Sequence, residues 1–126
     1  MSPVVPQDLQ TWFEGYLRVC NRHTFEELRH FVAEELVVDG RAVGRSAWID
    51  ELRALARGFP DYRWTLQHLL INPDGWLAAR LITSGTHLGT FRGRRGTGTR
   101  VRAEQVSLYR LDGYVITELW TGTDRS

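Results

Sequence analysis

The segment from Val101 to Asp124, VRAEQVSLYRLDGYVITELWTGTD, restricts the possible folds of this chain more than any other stretch. Two runs of alternating character meet at Leu111-Asp112-Gly113-Tyr114. An Asp-Gly pair accepts the positive φ angles of a tight hairpin turn, so the runs are expected to pair as antiparallel strands. Successive side chains of a strand point to opposite faces. Uninterrupted alternation would put Ile116, Glu118, Trp120, Gly122 and Asp124 on one face. An aliphatic group, a Trp and two carboxylates together suit the wall of a cavity better than a closed core.

Upstream, Leu9, Trp12, Phe13, Tyr16, Leu17 and Cys20 recur at helical spacing, which predicts an amphipathic helix over about 6–21. Thr24 and Glu27 form a capping-box pattern and predict a short helix burying Phe25, Leu28, Phe31 and Val32. Leu36-Val37-Val38 reads as a brief extended run turned by Asp39-Gly40. Ser46 is a suitable cap for a third helix whose stripe is Trp48, Ile49, Leu52, Leu55 and Ala56, ended by Gly58 and Pro60. From Tyr62 the pattern becomes β-like. Tyr62, Trp64, Leu66, His68 and Leu70 alternate with their neighbours, Asn72-Pro73-Asp74-Gly75 turns the chain, and a second long strand runs from Trp76 to about His87. Gly89–Thr99 reads as an exposed loop or bent hairpin. Helices placed before an antiparallel sheet indicate an α+β fold. One curved sheet wrapped on its helices, leaving a pocket between them, satisfies that order as a single domain over 1–126.

Composition mainly excludes. A formal net charge of +1 gives no global attraction to nucleic acid or membrane. All sixteen basic residues are arginine, so a lysine Schiff base is ruled out. Cys20 is the only cysteine, so no internal disulfide and no multi-thiolate zinc site can form. Four scattered histidines lack metal-ligand spacing, and no metal or cofactor is expected. The first residues carry neither a basic start nor an apolar run, and no stretch approaches membrane-spanning length, so a cytoplasmic location is the expectation.

The ordered set of Gly44, Phe59-Pro60-Asp61, Ala79-Arg80, Gly85-Thr86-His87-Leu88-Gly89, Thr97-Gly98 and Asp112–Trp120 followed by Asp124 resembles the SnoaL-like polyketide cyclases. These sit within the cone-shaped superfamily named after nuclear transport factor two. The resemblance spans nearly the whole chain. It implies three N-terminal helices in the concave face of a strongly curved mixed or antiparallel sheet, a cone-shaped α+β barrel with an internal cavity. It also implies a homodimer or homotetramer through the sheet, and cofactor-free aldol ring closure with an aspartate as general acid/base. Related members are cofactor-free hydroxylases. The loop Arg92-Gly93-Arg94-Arg95 departs from the apolar, proline-containing lip expected there.

On that basis Asp124 matches the catalytic aspartate. Ring closure needs a base for an acidic C–H proton and an acid for the nascent alkoxide, and one carboxyl with a raised pKa can serve as both. His87 is expected to orient Asp124 or polarise a carbonyl, against the ordinary reading of a histidine bonded at a strand end. Glu118 is a second acid candidate or the partner of an arginine such as Arg80. Trp12, Tyr16, Trp64, Phe91 and Trp120 are candidate aromatic walls for a planar substrate, each also a plausible core residue. Arg80, Glu104 and Gln105 are substrate-binding candidates. Glu104 and Gln105 face opposite ways, and the parity of strand 101–110 leaves open which one looks inward. Arg92–Arg95 with Arg100 and Arg102 form one local basic patch, whose ordinary reading is a solvated loop. The expected ligand is a small hydrophobic or aromatic molecule rather than nucleic acid. The expected function is an aldol-type cyclase, with a cofactor-free hydroxylase or a non-catalytic binding or dimerisation module as alternatives.

Overall fold

The computed structural model describes residues 6–124. Helix α1 spans Pro6–Arg22, a short 3-10 helix spans Phe25–His30, and α2 spans Arg45–Gly58. The strands are β1 (Val32–Val38), β2 (Arg41–Ala42), β3 (Arg63–Asn72), β4 (Trp76–Thr86), β5 (Arg100–Asp112) and β6 (Val115–Asp124). They form one mixed, unclosed sheet in the order β2-β1-β6-β5-β4-β3. β1 runs parallel to β6, and the other neighbouring pairs are antiparallel. The fold is the expected α+β arrangement of three helices against one curved sheet.

The predicted stripe of α1 is buried. Leu9, Phe13, Tyr16, Leu17 and Cys20 enter the core with Leu77, Ala79 and Leu81 of β4 and Tyr109 and Leu111 of β5. Asn21 pins the end of α1 to β3. Its side-chain N–H donates to the Trp64 carbonyl at 2.9 Å and its carbonyl oxygen accepts the Trp64 amide at 2.7 Å. This pair replaces a missing backbone partner and fixes where the Trp64 ring enters the core.

Several local expectations are corrected. Thr24 makes no side-chain cap, and the helix after it is 3-10 rather than α. Gly44, at φ 82°, rather than Ser46, caps α2. The run read as Leu36–Val38 begins at Val32, because pairing with β6 extends it.

Besides an irregularity of β1 between Val32 and Val37, two bulges in the antiparallel pairs reset the alternation. On β3 the partner pairs step from Leu66↔Leu81 to His68↔Arg80, leaving Gln67 as an extra residue. On β6 they step from Leu111↔Ile116 to Arg110↔Glu118, leaving Thr117 as an extra residue. An inserted residue flips every later side chain to the other face. Ile116 and Leu119 are therefore buried, while Trp120 is 40% exposed. The single face expected for Ile116, Glu118 and Trp120 does not exist.

Candidate functional site: an internal cavity beneath a docked arginine loop

Strand β5 alternates cleanly, with Ser107, Tyr109 and Leu111 buried and Val106, Leu108 and Arg110 exposed. This settles the parity left open by sequence. Gln105 faces the interior and Glu104 the outer face. The inner side of β5 meets α1, α2 and β3 around a cavity of about 140 Å³. Tyr16 and Cys20 of α1, Trp48, Leu52 and Leu55 of α2, and Trp64 of β3 bound it on the helical side. Gln105 and Tyr109 of β5 and Leu119 and Thr121 of β6 close the sheet side.

The polar groups of this apolar chamber form one cluster. Gln105 donates its amide N–H to the Ser107 hydroxyl at 2.8 Å. The Tyr109 and Tyr16 phenols and the Cys20 thiol lie next to this pair, close enough to influence one another's ionisation. Burial pushes the Tyr16 phenol well above its ordinary value, with the Cys20 and Tyr109 groups adding to the rise. Burial also raises Tyr109 and pushes the Cys20 thiol up to about 12. Desolvation disfavours the charged form of each. At neutral pH the chamber holds neutral hydrogen-bond donors and, among the described residues that line it, no carboxylate.

A second, more open groove of about 500 Å³ lies between α2 and the loop after β4. It shares Trp48, Leu52 and Leu55 with the inner cavity, so the two spaces adjoin at these side chains. The loop is ordered against the helix. The Leu88 and Gly89 amides both donate to the Gly58 carbonyl at 3.0 Å. A Cβ on Gly89 would lie 2.1 Å from the Arg57 carbonyl oxygen, so only glycine permits this approach. Phe91 and Arg94 exchange both backbone hydrogen bonds, at 2.9 and 3.0 Å. Arg92 and Gly93 between them have φ of 50° and 77°. That is the two-residue turn with left-handed central residues that suits a hairpin. The Arg92 guanidinium lies 5.0 Å from the centre of the Phe91 ring.

His87 follows β4 and stacks on Phe59 at 5.1 Å. Its Nε2 is buried and lacks a hydrogen-bond partner among the described residues. Asp61 fastens the preceding residue, accepting the Thr86 amide at 2.6 Å and the Thr86 hydroxyl at 2.7 Å. The Thr86 hydroxyl, then its amide, hold the Asp61 carboxyl below the usual carboxylate range. A depressed folded-state pKa contributes stability above the unfolded value that is lost as pH falls through the folded one. The Thr86 amide is therefore expected to lose hydrogen-exchange protection as pH drops below about 4. An unchanged protection factor across that window would show that the clamp does not hold this end of β4.

The sequence-derived candidates separate into distinct places. Tyr16, Trp64 and Gln105 line the cavity, and Phe91 lines the groove. Trp12 belongs to neither lining. It packs on Tyr16, Phe31 and Tyr114 towards the other end of α1. Arg80, Glu104, Glu118 and Trp120 lie on the outer face of the sheet, which corrects their expected place at the cavity. There Arg80 is hydrogen-bonded to Glu104, which holds the Glu104 carboxyl below its usual range. Trp120 donates its indole N–H to Glu118 at 2.7 Å. The physical reason is the uninterrupted alternation of β4 and β5 together with the bulge at Thr117. Asp124 ends β6 with Glu104 as its Cα partner, and its side chain lies outside the described part. Sequence reasoning missed Tyr109, Ser107 and Cys20 as one cluster. Ser107 and Tyr109 shared the parity of Gln105, but nothing local marked that parity as inward.

Among the described residues no group of three or more His, Cys, Asp or Glu side chains could hold a metal ion. No helix among them is long and apolar enough to cross a membrane.

A chamber of neutral donors and aromatic walls, enclosed by α1, α2 and one curved sheet, defines a small α+β cavity protein. The chain belongs to the SnoaL-like polyketide cyclase family, whose model matches residues 10–126. A SnoaL-like polyketide cyclase from Agrobacterium tumefaciens is 28% identical with a TM-score of 0.82, the match covering 92% of this chain and 91% of the other. IdmH from Streptomyces antibioticus, a candidate polyketide cyclase, is 24% identical with a TM-score of 0.80 over 92% of this chain and 91% of its own. AclR from Streptomyces galilaeus, a candidate hydroxylase, is 19% identical with a TM-score of 0.84 over 95% of this chain and 91% of its own. No protein of curated function matches the sequence. The family supports a role in polyketide tailoring.

Proposed function

We propose that this protein closes a ring on an aromatic polyketide by cofactor-independent aldol chemistry. The observation that carries this reading is the cluster of neutral polar groups, Gln105, Ser107, Tyr109, Tyr16 and Cys20, inside an aromatic chamber. In the reaction a base removes a proton from an activated carbon. The resulting enolate carbon bonds to a carbonyl carbon, and the carbonyl oxygen becomes an alkoxide that takes the proton back. Neutral phenols in a low-dielectric chamber suit hydrogen bonding to that oxygen, because they are preorganised and shielded from water. Asp124 is assigned the proton transfers by its match to the family's catalytic aspartate. It ends β6 in register with the outward Glu104, so it would serve the cavity from the end of the sheet beyond Thr121 rather than from the wall itself. His87, with its unspent Nε2, assists by orientation. The inner cavity alone is smaller than the roughly 300–1,000 Å³ of drug-sized ligand pockets. The substrate therefore extends into the groove across Trp48, Leu52 and Leu55.

The test is incubation of the full chain with an aromatic β-ketoester bearing an adjacent aldehyde or ketone, with mass spectrometry and an oxygen electrode. Ring closure with no oxygen uptake is expected. Stoichiometric oxygen uptake with a product gaining one oxygen atom would replace this reading with a hydroxylase. Saturable binding without turnover of any such compound would leave a binding module.

The reading includes self-association through the sheet. Leu70, Val106, Leu108 and Trp120, at 70, 51, 43 and 40% exposure, crowd the outer face beside the Arg80–Glu104 pair. Apolar patches of this kind favour partner burial. Sedimentation equilibrium is expected to return twice or four times the chain mass, and a monomer at micromolar concentration would remove this part.

A further inference from the structure

We infer that the groove between α2 and the arginine loop holds the anionic end of an aromatic ligand, a carboxylate or a phosphate, between Arg57 and Arg92. This rests on the proposed aromatic substrate and adds its charge. The groove is lined by the aromatic residues Trp48 and Phe91 together with Arg57 and Arg92. Among the described residues the ion pairs are Arg53 with Glu26 and Asp50, and Arg80 with Glu104. Arg57 and Arg92 thus line a space of about 500 Å³ with no carboxylate paired to either.

Arg92 is held in place rather than trailing in solvent. Its backbone is fixed by the Phe91–Arg94 turn, and its guanidinium rests on the Phe91 ring. A positioned guanidinium loses less freedom on binding and can grip a carboxylate or phosphate through two parallel N–H bonds. The C-terminus of α2 would ordinarily repel an anion. Here the Gly58 carbonyl already accepts the Leu88 and Gly89 amides, and the Phe59 amide donates to the Leu55 carbonyl at 2.8 Å. Those partners blunt the negative helix end. Glu51 also lines the groove, but six residues before Arg57 place it about 9 Å back along the helix axis. The anion therefore sits at the loop end, and the rings lie toward Trp48 and the cavity.

The probes are anthraquinone-2-carboxylate, its methyl ester, and 4′-phosphopantetheine, each titrated by calorimetry against the full chain. The acid is expected to bind about tenfold more tightly than the ester, the effect of one charge-assisted hydrogen bond. Its affinity should fall with added salt. In the Arg57→Gln, Arg92→Gln double variant the acid should drop to the affinity of the ester, and the ester should be unchanged. Displacement of the acid by phosphopantetheine would assign the anion to the phosphate of a carrier arm. Failure to displace it would assign a free carboxylate. Equal binding of acid and ester by the wild type, or an acid preference that survives the double substitution, overturns the inference. Loss of turnover on every polyketide tried, with the acid preference intact, would remove the catalytic reading and leave this one standing.

Discussion

Replacing Asp124 with Asn is expected to lower kcat by about 100- to 10,000-fold, the range for loss of a positioned general base, while leaving the thermal midpoint in place. The expectation follows from what the described chamber lacks. Its lining supplies Tyr16, Tyr109 and Cys20, all pushed towards their protonated forms. Such groups stabilise a developing alkoxide but do not remove a carbon-bound proton at neutral pH. The other acidic candidates are spent elsewhere. Glu104 is committed to Arg80 on the outer face, and Glu118 accepts the Trp120 indole there. Asp124 remains by its match to the family's catalytic aspartate, at the end of β6 in register with the outward Glu104, from where it would act at the rim of the cavity. The decisive comparison is the kcat of Asp124→Asn beside that of Glu118→Gln, with circular dichroism melts of both. A Glu118→Gln variant within about twofold of wild type and a collapsed Asp124→Asn variant carry the assignment. An Asp124→Asn variant retaining more than a tenth of the rate sinks it.

Phe13→Ala is expected to cost about 3–5 kcal/mol, the usual range for a fully buried aromatic truncated to Ala. The ring has no exposed surface. It packs edge-on to Tyr109 at 5.1 Å and tilted against Tyr16 at 5.5 Å. Removing it leaves a void behind both phenols, so stability and the chamber wall fail together. Against a total of about 5–15 kcal/mol for a domain of this kind, the variant is expected to melt roughly 10–20 °C lower. Urea unfolding of Phe13→Ala beside Phe13→Leu reads the effect, since Leu refills part of the volume. A loss below about 1 kcal/mol for Ala would show that the helix–sheet contact closes over the gap and that Phe13 does not brace the phenols.

The sequence by itself determined the elements whose signals are local. The apolar stripe Leu9–Cys20 set α1, because a 3.6-residue period has a single amphipathic solution. Asn72–Gly75 and Asp112-Gly113 set two hairpin turns, because their backbone geometry admits few residue types. The ordered motifs from Gly44 to Trp120 pointed to the family, and the family match over residues 10–126 agrees. Tertiary structure alone decided which side of the sheet each side chain occupies. β5 could present Glu104 or Gln105 inward with equal local sense, and only packing against α1 and α2 chose Gln105. The extra residues Gln67 and Thr117 are defined by partner strands rather than by their own identity. Each reverses the faces beyond it, which is why Glu118 and Trp120 left the wall expected of them. The Gly89-Arg57 approach likewise joins residues from separate elements, and it turns a run of glycines and arginines into the ordered rim of a groove.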